Sequence, residues 1–362
     1  MVIRTLCIVC CCLLLSTAVT FAAPQRTVTD QLGRQVKLPT TVQRIIPLGG
    51  AARYLVYLQA FDLAVGVEAM ENRQPPASSR PYNLAVRSRA DKLPVVGEGR
   101  GKPVNPEAIM ALRPDLLITA EADRAQADRL SSITGVPVLA LNYGGRGVLK
   151  PELVIETLGL LGSVLGREQR ANRLIAELAS QQRELERRLS GVKTIPVYVG
   201  AISQRGSHGI TSTDADYYPL EIGGALNLAK KLGRGGHLYI DKEQLLVWNP
   251  PVILVDASGT ELVRQDLARN RDFYNRLAAV QTSQVFQTLP YNHYHTNLEL
   301  ALANSWYVAK LLHPQRFSDI DPTRKTDELC RLFVGIPCYA QLQREFGGFG
   351  PLQLQTRSAD GR

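Results

Sequence analysis

Residues 291–297, Tyr-Asn-His-Tyr-His-Thr-Asn, form the densest group of metal-binding and stacking side chains in the chain. Imidazole and phenol groups can ligate ferric iron, and their rings can stack on a planar ligand. Side chains two residues apart in an extended segment share a face, so His293 and His295 would point the same way. We therefore expect Tyr291, His293, Tyr294 and His295 to line a ligand site, and we leave metal contact by the histidines open.

Further arginines, tyrosines and a histidine occur in loops that we expect to face the same ligand. Guanidinium groups pair with carboxylate or catecholate oxygens. Residues 207–213, Ser-His-Gly-Ile-Thr-Ser-Thr, could instead form an amide- and hydroxyl-rich nest for an anion. The metal is unknown, with His208, His293 and His295 as candidate ligands. The other predicted ligand-binding residues are Arg53, Arg80, Tyr82, Tyr143, Arg205, His208 and Tyr217.

Alternating strands and helices would position these loops. Residues 44–48 predict a buried strand, Gly49 and Gly50 a turn, and residues 51–60 a helix. Strand, glycine turn and helix in succession are typical of α/β folds, in which ligands bind beyond the carboxyl ends of the strands. This rule selects the loops that carry the candidate residues.

A second pattern indicates two similar lobes. The helix–proline–strand unit of residues 105–118 can be laid over residues 241–254, although such units also arise by chance. A long helical stretch separates the two copies, and Gly166 predicts a break within it. We predict two Rossmann-like α/β lobes joined by a long rigid helix, with the ligand cleft between the lobes.

These segments, in this order and spacing, resemble a known family. The chain is similar to the helical-hinge (class III) periplasmic binding proteins, which serve ABC importers of ferric siderophores, haem and cobalamin. The resemblance covers roughly residues 27–312 and rests on residues 29–39, 44–46, 63–68, 93–97, 105–118 and 241–256.

The resemblance implies one exposed glutamate on each lobe that meets arginines of the membrane permease. Glu107, in Asn-Pro-Glu, and Glu221, in Pro-Leu-Glu-Ile-Gly-Gly, match these positions. Charge pairing of this kind sets docking orientation and association rate more than affinity. The resemblance also implies a rigid helical connector, so we expect ligand binding with little hinge motion.

The two ends of the chain carry separate signals. Arg4, an apolar run over residues 6–21 and small residues at 22–23 are typical of a secretory signal peptide, with cleavage expected after Ala22. Cys330 and Cys338 then remain, and in an exported chain they suggest a disulfide. The predicted organisation is a signal peptide (1–22), an N-terminal lobe (23–150), a connecting helix (151–190), a C-terminal lobe (191–317) and an extension (318–362).

Together these features favour a monomeric periplasmic substrate-binding protein that delivers an iron chelate, a ferric siderophore or haem, to an ABC permease in the inner membrane. An oxyanion such as molybdate or tungstate, or cobalamin, is the alternative ligand. No catalytic cofactor is expected. An envelope metal-dependent enzyme is less favoured, because the H-E-x-x-H and G-x-S-x-G motifs do not occur. The net charge of +9 is spread along the chain without a basic tract, which argues against nucleic-acid binding.

Overall fold

A hairpin of β1 (Gln25–Thr29) and β2 (Gln35–Pro39) opens the part of the chain that the computed structural model describes, residues 24–72, 79–142 and 149–354. The turn forms because the Asp30 carboxylate accepts hydrogen bonds from the backbone amides of Leu32 and Arg34. Alternate side chains of β2 are buried, as expected of a strand with one covered face. The predicted signal peptide, residues 1–22, lies outside the described residues.

Parallel strands form the centre of the first lobe. Their hydrogen-bonded order is β3-β6-β7, and β4 pairs with β5. A bridge between Ile45 and Ala64 places the β4–β5 pair beside β3. Every residue of β3, β6 and β7 is buried, which fits strands that are covered on both faces. The strands are β3 (Ile45–Leu48), β4 (Val67–Glu68), β5 (Val95–Gly97), β6 (Leu116–Thr119) and β7 (Val138–Ala140).

The helices of this lobe begin at residues that satisfy free backbone amides. Asn105 caps α4 by accepting from the Ala108 amide at 3.0 Å, and Asp123 forms a reciprocal capping box with Gln126 at the start of α5. The helices are α1 (Ala52–Tyr57), α2 (Ala69–Asn72), α3 (Pro81–Ala90), α4 (Pro106–Ala111) and α5 (Arg124–Thr134).

Two helices, α6 (Pro151–Leu165) and α7 (Glu168–Leu189), connect the lobes. The expected break is present at Gly166, whose φ of 63° ends α6 in the left-handed conformation. The two helices pack together where Gly162 faces Ala171. The Thr157 hydroxyl of α6 donates to Gln31 of the first lobe at 2.8 Å. The 22-residue helix α7 runs on to the second lobe, so it is the long connecting helix.

The second lobe repeats the parallel arrangement. Its main sheet has the order β10-β8-β12-β13-β14, parallel except for β14, and β9 pairs with β11 in a separate antiparallel ribbon. The strands are β8 (Ile195–Gly200), β9 (Ser212–Asp214), β10 (Ala225–Asn227), β11 (His237–Tyr239), β12 (Val252–Asp256) and β13 (Val285–Thr288). The helices are α8 (Tyr218–Ile222), α9 (Lys242–Trp248), α10 (Thr260–Arg269), α11 (Arg271–Asn275), α12 (Ala278–Gln281) and α13 (Leu298–Leu312).

The C-terminal extension packs against both lobes. It contains α14 (Pro322–Val334), α15 (Tyr339–Phe346) and β14 (Gly350–Pro351), and a disulfide joins Cys330 to Cys338. Phe333 of α14 contacts Tyr57 of α1 edge-on, with ring centroids 5.2 Å apart. The Lys325 ammonium lies 4.8 Å above the Trp306 ring of α13. Apolar side chains from both lobes and from this extension therefore share one core cluster.

No helix in the stretches that the structure describes is both long enough and apolar enough to cross a bilayer.

Candidate functional site

The turn after β13 carries the residues that the sequence marks as the densest candidate group, and it lies against the first lobe. Asn292 and Thr296 form an isolated antiparallel bridge. Between them Tyr294 and His295 have φ values of 54° and 70°, in the left-handed region that residues other than glycine seldom adopt. Backbone carbonyls of Tyr291 and His293 accept from the Asn297 amide group, which stabilises the turn.

Residues of both lobes meet at this turn in what we call the interlobe cluster. Two glycines make the approach possible. A Cβ on Gly50 would lie 3.0 Å from the Tyr294 carbonyl oxygen, and one on Gly99 would lie 2.7 Å from the Tyr294 hydroxyl. The cluster consists of Arg53, Glu68, Glu71, Ser79, Arg80, Tyr82, Glu121, His293, Tyr294 and His295.

Arg53 joins α1 of the first lobe to the turn. Its guanidinium donates to the Tyr294 carbonyl and, at 3.5 Å, to the His293 carbonyl. The same group lies 5.0 Å from the centre of the Tyr82 ring, a distance at which cation–π attraction operates. Arg53 and Tyr82 are both fully buried. The predicted ligand-binding residues Arg53, Tyr82, His293 and Tyr294 therefore lie together.

Buried carboxylates accompany these cations. Glu71 lies 3.5 Å from Arg80 and accepts from the Tyr82 hydroxyl at 3.0 Å. Burial raises the pKa of Glu71, and the Arg80 charge opposes this shift. Arg80 also donates to the Met70 carbonyl at 2.6 Å, while its Nε has no hydrogen-bond partner among the described residues. An Nε–H that is buried without a partner is unusual, and it could donate a hydrogen bond to a bound ligand.

Glu68 receives two donors at the end of β4. The Gly49 amide donates to it at 2.8 Å, and so does the Tyr294 hydroxyl from the other lobe. Burial raises the pKa of Glu68 to about 7, although both hydrogen bonds act in the opposite direction. A carboxyl group with this pKa exchanges its proton near neutral pH.

The two histidines of the turn have different partners. His293 Nδ1 lies 2.6 Å from the Ser79 hydroxyl, and His295 Nε2 lies 3.2 Å from the Glu121 carboxylate. The segment is a turn with left-handed residues instead of the expected extended strand, and both histidines contact the first lobe. Among the described residues no group of three or more His, Cys, Asp or Glu side chains could hold a metal ion.

His293 lies in a positive environment. Burial lowers its pKa to about 3, and the charges of Arg80, Arg100 and Arg53 contribute to the shift. The imidazole is therefore neutral at physiological pH. Three cations converging on one side chain create a local preference for negative charge.

Tyr217 and Tyr291 form a separate pair beneath the turn. Their rings meet edge-on with centroids 5.4 Å apart, and the Tyr217 hydroxyl lies 3.3 Å from that of Thr288. Both side chains are fully buried, and burial raises the pKa of each phenol well above its usual range. They support the turn as neutral, packed rings.

The remaining candidates have other surroundings. His208 groups with His237 and Tyr239 beside the β9–β11 ribbon, which we call the imidazole cluster. Arg205 is exposed on the preceding loop with a φ of 54°. Tyr143 lies outside the described residues. In the described part of the chain, His208 hydrogen-bonds to Gln204 and Tyr239 and to no member of the interlobe cluster.

Several members of the interlobe cluster were not predicted from the sequence. Glu68, Glu71 and Glu121 were not proposed, nor was Ser79. Position relative to the strands is a signal that could have identified two of them, since Glu68 ends β4 and Glu121 follows β6 closely. Glu71 and Ser79 carry no comparable signal, because their partners come from tertiary packing.

A small crevice lies beside the turn, where Thr296 and Leu298 face residues of the first lobe and of α6. It measures about 10 Å³, about the room that one water molecule needs. Its lining is Tyr54, Asn142, Leu149, Lys150, Leu153, Val154, Thr296 and Leu298. A larger open groove of about 540 Å³ lies between α10 and the C-terminal extension.

A family model described as "Periplasmic binding protein" matches residues 51–291, which span both lobes and their connection. The chain belongs to the periplasmic binding protein family. The fold and the family expected from the sequence are thereby confirmed, and the relatives of this binding protein are solute-binding transport proteins.

Two relatives give the scale of similarity. The molybdate-binding protein MolA of Haemophilus influenzae is 28% identical over 355 residues, which cover 92% of this chain and 97% of that protein. A solved structure of MolA bound to molybdate has a TM-score of 0.67 and covers 86% of this chain and 98% of that one, with 22% identity. The nickel–histidine complex of CeuE from Helicobacter pylori has a TM-score of 0.63 with 19% identity, covering 89% and 99%.

Both predicted docking glutamates are exposed. Glu107 lies in the first turn of α4, and Glu221 lies in α8 with its carboxylate 2.7 Å from the Lys230 ammonium. Each is thus accessible to a partner, as a docking residue must be.

Proposed function

We propose that this chain is the periplasmic substrate-binding protein of an ABC importer and that its ligand is a small tetrahedral oxyanion of the molybdate or tungstate class. The observation that carries the choice of ligand is the interlobe cluster itself. Arg53 and Arg80 are buried within it, next to a neutral His293, at the place where the two lobes meet.

The chemistry of these groups suits an oxyanion. Guanidinium groups donate paired hydrogen bonds to oxyanions, and buried ones do so with little screening by salt. The Arg80 Nε–H is a buried donor that a bound oxygen could use. A neutral imidazole adds a further N–H donor to negatively charged oxygens.

The MolA likeness supports the same choice, since MolA is described as molybdate-binding.

An iron chelate, the ligand favoured by the sequence analysis, is the second candidate. Solved structures described as a ferric hydroxamate transport system and a periplasmic haem-binding protein share the fold at TM-scores of 0.55 and 0.53. Their identities of 19% and 20% make this a likeness of fold.

Calorimetric titration of the mature protein tests the proposal. We expect molybdate and tungstate to bind one per chain, and sulfate, phosphate, ferric siderophores and haem to bind much more weakly or not at all. A ligand at about 100 times its Kd should add about 2.7 kcal/mol to the free energy of unfolding. Binding of an iron chelate without any oxyanion binding would overturn the choice of ligand.

Paired variants locate the site. His293→Asn should weaken oxyanion binding, because it removes an imidazole from the interlobe cluster. Arg205→Ala serves as the matched control, since Arg205 is exposed on the other candidate anion loop. Loss of binding in Arg205→Ala with retention in His293→Asn would move the site to residues 207–213.

A further inference from the structure

The imidazole cluster lies on the second lobe, where the β9–β11 ribbon brings distant residues together. In the ribbon, His237 is paired with Asp214 and Tyr239 with Ser212, while His208 lies in the loop before β9. The His208 and His237 ring centroids are 6.1 Å apart. The Tyr239 ring centroid is 5.3 Å from that of His208 and 4.7 Å from that of His237.

Hydrogen bonds fix which nitrogen of each imidazole carries the proton. His208 Nε2 lies 2.8 Å from the Gln204 carbonyl oxygen, which can only accept, so Nε2 carries the hydrogen; the Tyr239 hydroxyl lies 3.0 Å from the same nitrogen. The Ser212 hydroxyl donates to the Ile202 carbonyl at 2.6 Å. It must therefore accept from His237 Nε2, which lies 2.8 Å away. Nε2 thus carries a hydrogen in each ring, which leaves Nδ1 as the nitrogen that can bind a metal.

We propose that His208 Nδ1 and His237 Nδ1 form a binding site for a divalent transition-metal ion, with water completing the coordination. Imidazole nitrogens suit copper, nickel and zinc. A metal-bound histidine usually donates its other ring N–H to a fixed acceptor, and both rings have such an acceptor here. With bonds of about 2 Å, two imidazoles on one ion place their ring centroids roughly 5–6 Å apart.

Accessibility agrees with this site. Tyr239, which borders both rings, is 56% exposed, so an ion can reach the cluster from solvent. Because the site has two nitrogen ligands and no carboxylate, we expect Cu²⁺ to bind most tightly of the divalent ions.

Titration of the tag-free mature protein with Cu²⁺, in the absence of any oxyanion, tests the inference. We expect one Cu²⁺ per chain, with an electron paramagnetic resonance spectrum that shows two nitrogen ligands. His208→Asn and His237→Asn should each lower the affinity by about tenfold or more and reduce the count to one nitrogen. His313→Asn is the matched control, because His313 lies at the end of α13, outside the cluster.

A second measurement does not depend on variants that fold. In nuclear magnetic resonance spectra of the unaltered protein, one equivalent of Cu²⁺ should broaden the ring signals of His208 and His237 before those of the other histidines. Unselective broadening, or Cu²⁺ affinity that is unchanged in both His208→Asn and His237→Asn, would overturn the metal site. Oxyanion titration of His237→Asn should match the unaltered protein, so failure here is separable from failure of the proposed function.

Discussion

The phenol of Tyr294, in the second lobe, donates a hydrogen bond to the carboxylate of Glu68, in the first. Both side chains are buried, and the Tyr294 hydroxyl also accepts from the Arg100 amide at 3.3 Å. A single side chain thus connects the turn after β13 with two segments of the opposite lobe. The contact lies where the ligand is expected, so its strength should influence both stability and binding.

Tyr294→Phe should lower the free energy of unfolding by about 1–3 kcal/mol, because it leaves the buried Glu68 carboxylate and the Arg100 amide without this partner. Urea denaturation monitored by circular dichroism measures the loss. Tyr239→Phe removes a phenol that is 56% exposed and should change stability by about 0.5 kcal/mol or less. Equal losses in the two variants would contradict a special role for the Tyr294–Glu68 bond.

The raised pKa of Glu68, about 7 against the usual 4.5, predicts a pH effect on stability. Between these values the folded protein holds a proton that the unfolded chain has released. The stability contribution of Glu68 is therefore complete below about pH 4.5 and is lost as pH rises towards 7, by up to about 1.4 kcal/mol per pH unit.

Glu68→Gln should remove this term, so its free energy of unfolding should fall less steeply between about pH 5 and pH 7 than that of the unaltered protein. Denaturant titrations at several pH values provide the comparison. Glu107→Gln, at an exposed position, should leave the slope unchanged. Parallel curves for Glu68→Gln and the unaltered protein would refute the assignment of the slope to Glu68.

The elements predicted best from the sequence are those bounded by sharp chemical changes. Strand β3 lies within the predicted strand over residues 44–48 and helix α1 within the predicted helix over residues 51–60, because the Gly49–Gly50 turn separates two apolar runs sharply. Helix α3 was missed, because its residues include Arg87, Ser88 and Arg89 and show little apolar periodicity. It is helical because Pro81 starts it and Tyr82, Val86 and Ala90 bury one face.

The ligand-site residues were predictable by type and by loop, but their mutual arrangement was not. Tyr294 and His295 adopt left-handed conformations that their residue types do not signal. Contacts with the other lobe, such as that between His295 and Glu121, determine the turn. Sequence patterns report local preferences, whereas this turn depends on a surface more than a hundred residues away in the chain.

Removal of both docking glutamates should separate binding from transport. We expect Glu107→Ala with Glu221→Ala to keep the ligand affinity and to impair uptake by cells that carry the importer, since exposed charge pairs guide docking. The matched control is Glu243→Ala, an exposed glutamate in the first turn of α9, at the position equivalent to Glu107 in the internal similarity. Normal uptake by the double variant would eliminate these residues as permease contacts.

Loss of the disulfide should destabilise the protein. Replacing Cys330 and Cys338 by alanine removes a short covalent loop, and the chain-entropy model predicts a loss on the order of 2–3 kcal/mol. Thermal unfolding of the double variant, compared with the oxidised protein, measures the effect. If reduction of the unaltered protein leaves its unfolding temperature unchanged, the disulfide does not contribute to stability in this way.

The two glycines beneath Tyr294 have a wider consequence. Gly50 and Gly99 leave no side chain between the turn and the first lobe, and a methyl group at either position would press against Tyr294 or His295. At this point the distance between the lobes is therefore set by contact between the turn and the glycine backbone, with no intervening side chain. Alanine at position 50 would push the turn away from the first lobe, and larger side chains there would push it further. Uptake measured across such a series would show how far the lobes can separate before the permease ceases to recognise the protein.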